Sequence, residues 1–126
     1  MSQIRLLLAD DQRLFLESLC SVIEALASEM TVAGTALNGE SAVELAVSLK
    51  PDVILMDVRM PRMDGVESTR RIRAAIPEAK VLMLTTFDDD QYVVEALRLG
   101  AVGYLLKDMA IAELINGIRT VTRAEC

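Results

Sequence analysis

Four apolar runs in the sequence each end in a reactive polar residue: Leu6-Leu7-Leu8-Ala9 in Asp10-Asp11, Val53-Ile54-Leu55-Met56 in Asp57, Val81-Leu82-Met83-Leu84 in Thr85, and Tyr104-Leu105-Leu106 in Lys107. Runs that are apolar on both faces are expected of parallel strands covered by helices on each side, and such sheets bind ligands beyond the carboxyl ends of their strands. Neighbouring strands lie only ~4.8 Å apart, so the carboxylates, the hydroxyl and the ammonium would meet in one crevice. Carboxylates about 4 Å apart repel by ~4 kcal/mol even at an effective dielectric of about 20, so the cluster calls for a cation. Mg²⁺ suits it, because it takes oxygen ligands, keeps waters and accepts phosphate oxygens. With Asp10, Asp11 and Asp57 at −3, Lys107 at +1 and the ion at +2, the sum is zero. The expected chemistry is Mg²⁺-assisted handling of a phosphoryl group.

Plainer roles exist for single members of this set. Asp10 and Asp11 fit a helix cap with a solvated neighbour, and Thr85 and Tyr104 fit a strand-end hydroxyl and an amphipathic core edge. The first loop carries negative charge where phosphate-cradling loops use glycine and backbone N–H groups. Neither G-x-G-x-x-G nor G-x-x-x-x-G-K-S/T occurs, so dinucleotide and nucleoside triphosphate binding are not expected. A phosphatase with Asp57 as its nucleophile is a competing reading, but Arg59 stands where such hydrolases place a second Asp.

The elements that must position these groups alternate regularly. Leu14, Leu19, Val22, Ile23 and Leu26 give a helix from Arg13 to Ala27 directly after the first strand. A second strand is expected at Thr31 to Ala36, and Asn38-Gly39 turns the chain into a helix from Glu40 to Leu49 that Lys50-Pro51 stops. The third strand ends at Asp57, and Pro61 and Gly65 punctuate a loop before a helix that runs to about Ala75. The fourth strand ends near Thr85-Thr86, and Asp88-Asp89-Asp90 supplies caps and favourable charge for a helix ending at Leu99-Gly100, which makes those aspartates structural. The fifth strand is Val102 to Leu106, and Ile111, Leu114, Ile115, Ile118 and Val121 form the stripe of a last helix. Five strand-then-helix units specify an α/β fold, an open five-stranded parallel sheet doubly wound with five helices. The polar segment from Thr120 to Cys126 reads as a fraying helix end or as the start of a tether to a further domain, with the tether favoured.

A chain of 126 residues with 52% hydrophobic content is one domain with a real core, so residues 1–126 are read as a single unit. The net charge of −6 argues against direct nucleic-acid binding, and the one local basic group, Arg70, Arg71 and Arg73, reads as a solvated helix face. Histidine is absent, so any phosphohistidine must come from a partner. Cys20 and Cys126 lack metal-binding spacing and are expected to be free thiols in a reducing compartment. The longest uncharged run, Met30 to Gly39, holds glycines, threonines and an asparagine, so neither a signal peptide nor a membrane span is expected.

The motifs Leu8-Ala9-Asp10-Asp11, Asp52-Val53-Ile54-Leu55-Met56-Asp57-Val58-Arg59-Met60-Pro61, Met63-Asp64-Gly65, Leu84-Thr85-Thr86-Phe87 and Gly100-Ala101-Val102-Gly103-Tyr104-Leu105-Leu106-Lys107-Asp108 together resemble bacterial two-component response-regulator receiver domains of the NarL/LuxR-type branch. The resemblance spans nearly the whole chain and implies a flavodoxin-like, receiver-type fold. It implies that Asp57 accepts a phosphoryl group from the phosphohistidine of a sensor histidine kinase, with Lys107 and Thr85 contacting that group. Mg²⁺, for which Mn²⁺ could substitute, would be held by Asp11, Asp57 and the backbone carbonyl of Arg59, with Asp10 acting through water. Thr85 and Tyr104 would form the switch, and Arg59 and Phe87 would set the lifetime of the phosphorylated state.

By the same resemblance the chain is a phosphoacceptor that assists its own phosphorylation and slow dephosphorylation rather than an enzyme with turnover. It would be cytoplasmic, form a homodimer on phosphorylation, and reach DNA only through a C-terminal helix-turn-helix domain outside this chain, regulating transcription. A non-phosphorylated interaction module of the same fold is the alternative. Lys107-Asp108 replaces the Lys-Pro of many receivers, which leaves the geometry of that bond open, because a cis bond before a non-proline residue costs ~3 kcal/mol.

Overall fold

The computed structural model describes residues 3–86 and 89–123. Five strands alternate with five helices: β1 (Ile4–Ala9), α1 (Arg13–Leu26), β2 (Met30–Ala36), α2 (Gly39–Leu49), β3 (Val53–Asp57), α3 (Gly65–Ala75), β4 (Val81–Thr85), α4 (Asp90–Arg98), β5 (Gly103–Leu106) and α5 (Ile111–Arg123). The strands form one parallel sheet in the order β2-β1-β3-β4-β5.

Local chemistry sets the boundaries. The Asn38 side chain accepts the Ser41 N–H at 2.8 Å to cap α2, and Asp64 does the same for α3 with the Glu67 N–H. Lys50, held in the left-handed region at φ 48°, ends α2 immediately before Pro51. The helix α5 continues through Arg123, so Thr120 to Arg123 of the polar segment are helical, and residues 124–126 lie outside the described residues.

Alternate strand residues feed two cores. Leu6, Leu8, Val53, Leu55, Leu82 and Leu84 pack with Leu16, Leu19 and Ile23 of α1 and Leu114, Ile115 and Ile118 of α5. On the opposite face Leu7, Ala9, Ile54, Met56, Val81 and Met83 meet Ala42 and Ala46 of α2, Ile72 of α3 and Ala96 of α4. Burial on both sides fixes the strand register, since a slip of one residue would exchange the two faces.

The loop after β3 returns closely on the strand end. Gly65 N–H donates to the Val58 carbonyl at 2.7 Å, folding the start of α3 back against the end of β3. A Cβ at Gly65 would lie 2.0 Å from the Asp57 carbonyl oxygen, a contact with backbone that no rotamer relieves. At Gly103 the nearest atom, Leu82 Cδ1, would be 3.5 Å from an added Cβ. Gly65→Ala is therefore expected to destabilise the fold by about 1–3 kcal/mol in chemical denaturation, while Gly103→Ala should be neutral or slightly stabilising. Equal midpoints for the two variants would contradict the assignment of Gly65 as a steric requirement.

Candidate functional site

In the order β2-β1-β3 the chain adds β2 on one side of β1 and β3 on the other, and the carboxyl ends of β1 and β3 at this switch point form the crevice where open α/β sheets bind ligands. Ala9 pairs with Met56, so the next residues, Asp10 and Asp57, emerge side by side. One carboxylate oxygen from each of Asp10, Asp11 and Asp57 lies within 4.8 Å of the others. Asp10 is fully buried and Asp57 is 5% exposed, whereas Asp11 faces solvent. The backbone fastens this end of β1, with Asp10 N–H donating to the Ala36 carbonyl at 3.0 Å and Gln12 N–H donating to Asp10 Oδ1 at 2.8 Å.

Lys107 follows β5, and its N–H bonds to the Thr85 carbonyl at 2.9 Å. Its side chain reaches across two strands to put Nζ 2.8 Å from Asp10 Oδ2 and 3.8 Å from Asp57 Oδ2. Gln12 Oε1 accepts from the same ammonium, and the Phe15 ring centroid lies 4.9 Å from it. Asp10 Oδ2 is thus ion-paired, yet it is buried without an aligned hydrogen-bond donor. One ammonium against the three carboxylates leaves −2. Burial first, and then the Asp10 charge, push the Asp57 carboxyl up to about 7, with Asp11 adding to the rise and Lys107 opposing it. Three convergent carboxylates, two of them buried and one with an undonated oxygen, form a donor set that fits a hard divalent ion.

The other sequence-selected residues lie on β4, on β5 and in the loop after β3. Thr85 is 2% exposed, and its hydroxyl lies 2.9 Å from the Thr86 carbonyl and 3.3 Å from Asp89 Oδ2. Tyr104 is 53% exposed and borders, with Thr85, Val93, Val94 and Leu97, a groove of about 390 Å³ between α4 and β5. Arg59, in the loop after β3, donates Nε to Asp89 Oδ1 at 2.8 Å and stacks 5.3 Å from the Tyr92 ring centroid. Phe87 and Asp88 lie outside the described residues. No peptide bond among the described residues is cis, so Lys107–Asp108 is trans.

Two polar groups that meet these residues were not legible as site residues in the sequence. Asp89 was assigned to capping, but its side chain makes no cap bond to α4 and turns toward Arg59, Thr85 and Thr86 instead. Gln12 stands immediately before α1, where the sequence marks it only as a flanking residue. Elsewhere Arg70 and Arg71 pair with Glu67 on the α3 surface, as a solvated face requires, while Arg73 is half-buried and bonds to the Ala79 carbonyl at 3.0 Å. Cys20 is a free thiol, and among the described residues no helix is long and apolar enough to cross a membrane.

A 2-1-3-4-5 parallel sheet with acids at its switch point and a lysine reaching in from the edge strand defines a flavodoxin-like signal-receiver architecture. The chain belongs to the response regulator receiver domain family, whose family model matches residues 6–119. It is 51% identical over 123 residues to the uncharacterized transcriptional regulatory protein YxjL of Bacillus subtilis (strain 168), covering 98% of this chain and 56% of that protein. It is 41% identical over 122 residues to the transcriptional regulatory protein DegU of Brevibacillus brevis, covering 97% of this chain and 51% of that protein. The chain thus spans about half the length of the curated relatives it matches. Among solved structures, the signal receiver domain of the putative response regulator NarL from Mycobacterium tuberculosis superposes with a TM-score of 0.91 at 32% identity, covering 99% of this chain and all of that one. A LuxR-family DNA-binding response regulator from Staphylococcus aureus superposes with a TM-score of 0.88 at 28% identity, over 95% of this chain and 99% of that chain. These relatives and neighbours place the chain in the NarL/LuxR-type branch.

The Asp57 carboxyl also gives the fold a pH dependence. With a folded pKa of about 7 and an unfolded value of about 3.9, the folded chain binds the proton that the unfolded chain releases between these limits, so the ionised group destabilises the fold as pH rises through that window. In metal-free buffer, the melting temperature of the wild type should fall from pH 5 to pH 8 by more than that of Asp57→Asn, which has no proton to lose. Parallel pH profiles for the two proteins in differential scanning calorimetry would contradict the burial and repulsion described at Asp57.

Proposed function

We propose that this chain is a phosphorylation-activated signalling switch in which Asp57 accepts a phosphoryl group from the phosphohistidine of a sensor histidine kinase. The observation that carries the reading is the convergence of Asp10, Asp11 and Asp57 within 4.8 Å, with Lys107 Nζ 3.8 Å from the Asp57 carboxylate. In the transfer, an Asp57 oxygen bonds to phosphorus as the phosphorus–nitrogen bond of the donor breaks, and the bonding pair stays with the imidazole. The chain has no histidine, so the donor is a partner's.

Asp11, Asp57 and the Arg59 carbonyl would hold Mg²⁺ directly and Asp10 through water, with Mn²⁺ able to substitute. Bound there, the ion supplies positive charge that keeps Asp57 ionised and offsets the phosphoryl oxygens. Lys107 needs little movement to meet one of those oxygens, and the strand ends hold the nucleophile in place. The acyl phosphate carries a charge of about −2 in place of −1, so further donors must turn toward it. Thr85 supplies a hydroxyl, and Tyr104 follows it inward into the groove beside α4.

Moving such an equilibrium from 1:99 to 99:1 takes ~5.5 kcal/mol, within reach of a few charge-assisted hydrogen bonds. The consequence is an active, dimerising state, through the face formed by α4, β5 and α5 or through α1 and α5. Relatives named as transcriptional regulators, about twice as long as this chain, support a role in controlling a DNA-binding output domain in the cytoplasm, a helix-turn-helix by analogy with the branch.

Incubation with acetyl phosphate and Mg²⁺ should add about 80 Da, one HPO₃, to the intact mass, and chelation or Asp57→Asn should remove the adduct. Absence of the adduct from the wild type would favour a non-phosphorylated interaction module, and rapid turnover of unrelated phosphate esters would favour a phosphatase. Lys107→Ala should remain folded by circular dichroism but fail to change oligomeric state when phosphorylated. Dimerisation of that variant like the wild type in light scattering would reject the lysine's signalling role.

A further inference from the structure

Asp89 is a buried carboxylate, 1% exposed, at the residue preceding α4, yet its side chain makes no hydrogen bond to that helix. It collects other donors instead: Arg59 Nε at 2.8 Å on Oδ1, and on Oδ2 the Thr86 hydroxyl at 2.9 Å, the Thr86 N–H at 3.1 Å and, at 3.3 Å, the Thr85 hydroxyl, which lies closer to the Thr86 carbonyl at 2.9 Å. The two bonds from Thr86 are those of a local turn, in which a threonine and an acid three residues later bind each other. The turn does not account for the other two donors. Arg59 comes from a different loop, two residues beyond Asp57, and Thr85 ends β4 one residue past Leu84, the residue that pairs with Asp57.

We infer that Asp89 is a positioning residue for the phosphoacceptor site: it holds the Arg59 guanidinium away from Asp57 and yields it when Asp57 carries a phosphoryl group. The inference rests on the phosphoacceptor reading and adds to it the group that competes for that guanidinium. At rest, Lys107 already answers the Asp10 and Asp57 charges, while Asp89, without Arg59, would be a buried carboxylate with no cation beside it. Phosphorylation adds about one negative charge at Asp57 and reverses that preference. The exchange is sterically open, because the Arg59 side chain is 64% exposed and Asp89 keeps both Thr86 donors after release. Arg59 also lies against Tyr92 of α4, so its departure alters a contact of that helix.

The test uses the 126-residue chain with Mg²⁺ and acetyl phosphate. In each transfer an Asp57 oxygen bonds to phosphorus, the phosphorus–oxygen bond of the donor breaks, and acetate leaves. The rate of the Asp57 adduct is followed by intact mass against donor concentration for the wild type, Asp89→Asn, Arg59→Ala and the double variant. Asn keeps a side-chain acceptor for the Thr86 turn but removes the charge that detains Arg59. Asp89→Asn should lower the donor concentration for half-maximal rate roughly 3- to 10-fold, the range of coupling between contacting charged groups, and the gain should vanish in the Arg59→Ala background.

A wild-type concentration dependence in Asp89→Asn, or the same gain without Arg59, would overturn the inference while leaving Asp57 as the acceptor. No adduct on the wild type would overturn the acceptor reading and this inference together. Should Asp89→Asn fail to fold, the wild type carries the test by NMR: the Arg59 Nε–H signal, assigned by its loss in Arg59→Lys, should shift on phosphorylation. A signal unchanged by the adduct would overturn the exchange.

Discussion

The electrostatic repulsion among Asp10, Asp11 and Asp57 is the constraint to which the rest of the molecule answers. Like charges at this spacing would separate if the backbone let them, at a gain of ~4 kcal/mol per close pair at an effective dielectric of about 20. The backbone does not let them. β1 and β3 are the central strands of the sheet, buried on both faces, and their register is fixed by Leu6, Leu7 and Leu8 against Val53, Ile54 and Leu55. The acids therefore stay together, and the chain lowers the repulsion with a lysine carried in from the edge strand and by leaving Asp11 in solvent. What remains is uncompensated negative charge at the strand ends, on which the proposed binding of Mg²⁺ and a phosphoryl group rests.

Much of this was readable from the residues alone because it depends on short-range rules. Apolar runs ending in polar residues gave the strands and put the acids at their ends, Asn38 and Pro51 bracketed α2, and strict alternation of elements left one sheet class. The order of the strands was not readable, because it follows from which helix covers which face and not from any one segment. At the end of α5 the residues left a fraying helix end and a tether both open, with the tether favoured, and Thr120 to Arg123 are helical. Thr120 and Thr122 look like tail residues, but their hydroxyls bond to the Asn116 and Arg119 carbonyls within the helix, and Val121 continues the packed stripe.

Asp89 marks the limit of spacing arguments. A run of three aspartates before a helix has a sufficient local explanation in capping and the helix dipole, and that explanation stops the search. The partner that changes its meaning, Arg59, is 30 residues away on another loop, and nothing in either segment announces the pair. Only the parallel packing of β3 against β4 brings the two loops side by side, so this part of the site is a product of topology.

That topology also explains how a change at Asp57 can reach a distant face without deforming the sheet. β4 pairs with β3 on one side and β5 on the other, with Leu84 opposite Asp57 and Met83 opposite Tyr104. Thr85, at the end of this strand, borders both the acid cluster and the groove beside α4. In the proposed switch, turning the Thr85 hydroxyl toward Asp57 opens that boundary, and Tyr104, now half exposed, can bury its ring against Val93, Val94 and Leu97. Burial of apolar area at ~25 cal/mol per Å² offsets part of the lost Arg59–Asp89 bridge, whose own contribution is limited by the exposure of Arg59. In the proposed switch the two arrangements, with compensating gains and losses, lie close enough in free energy for one added charge to choose between them.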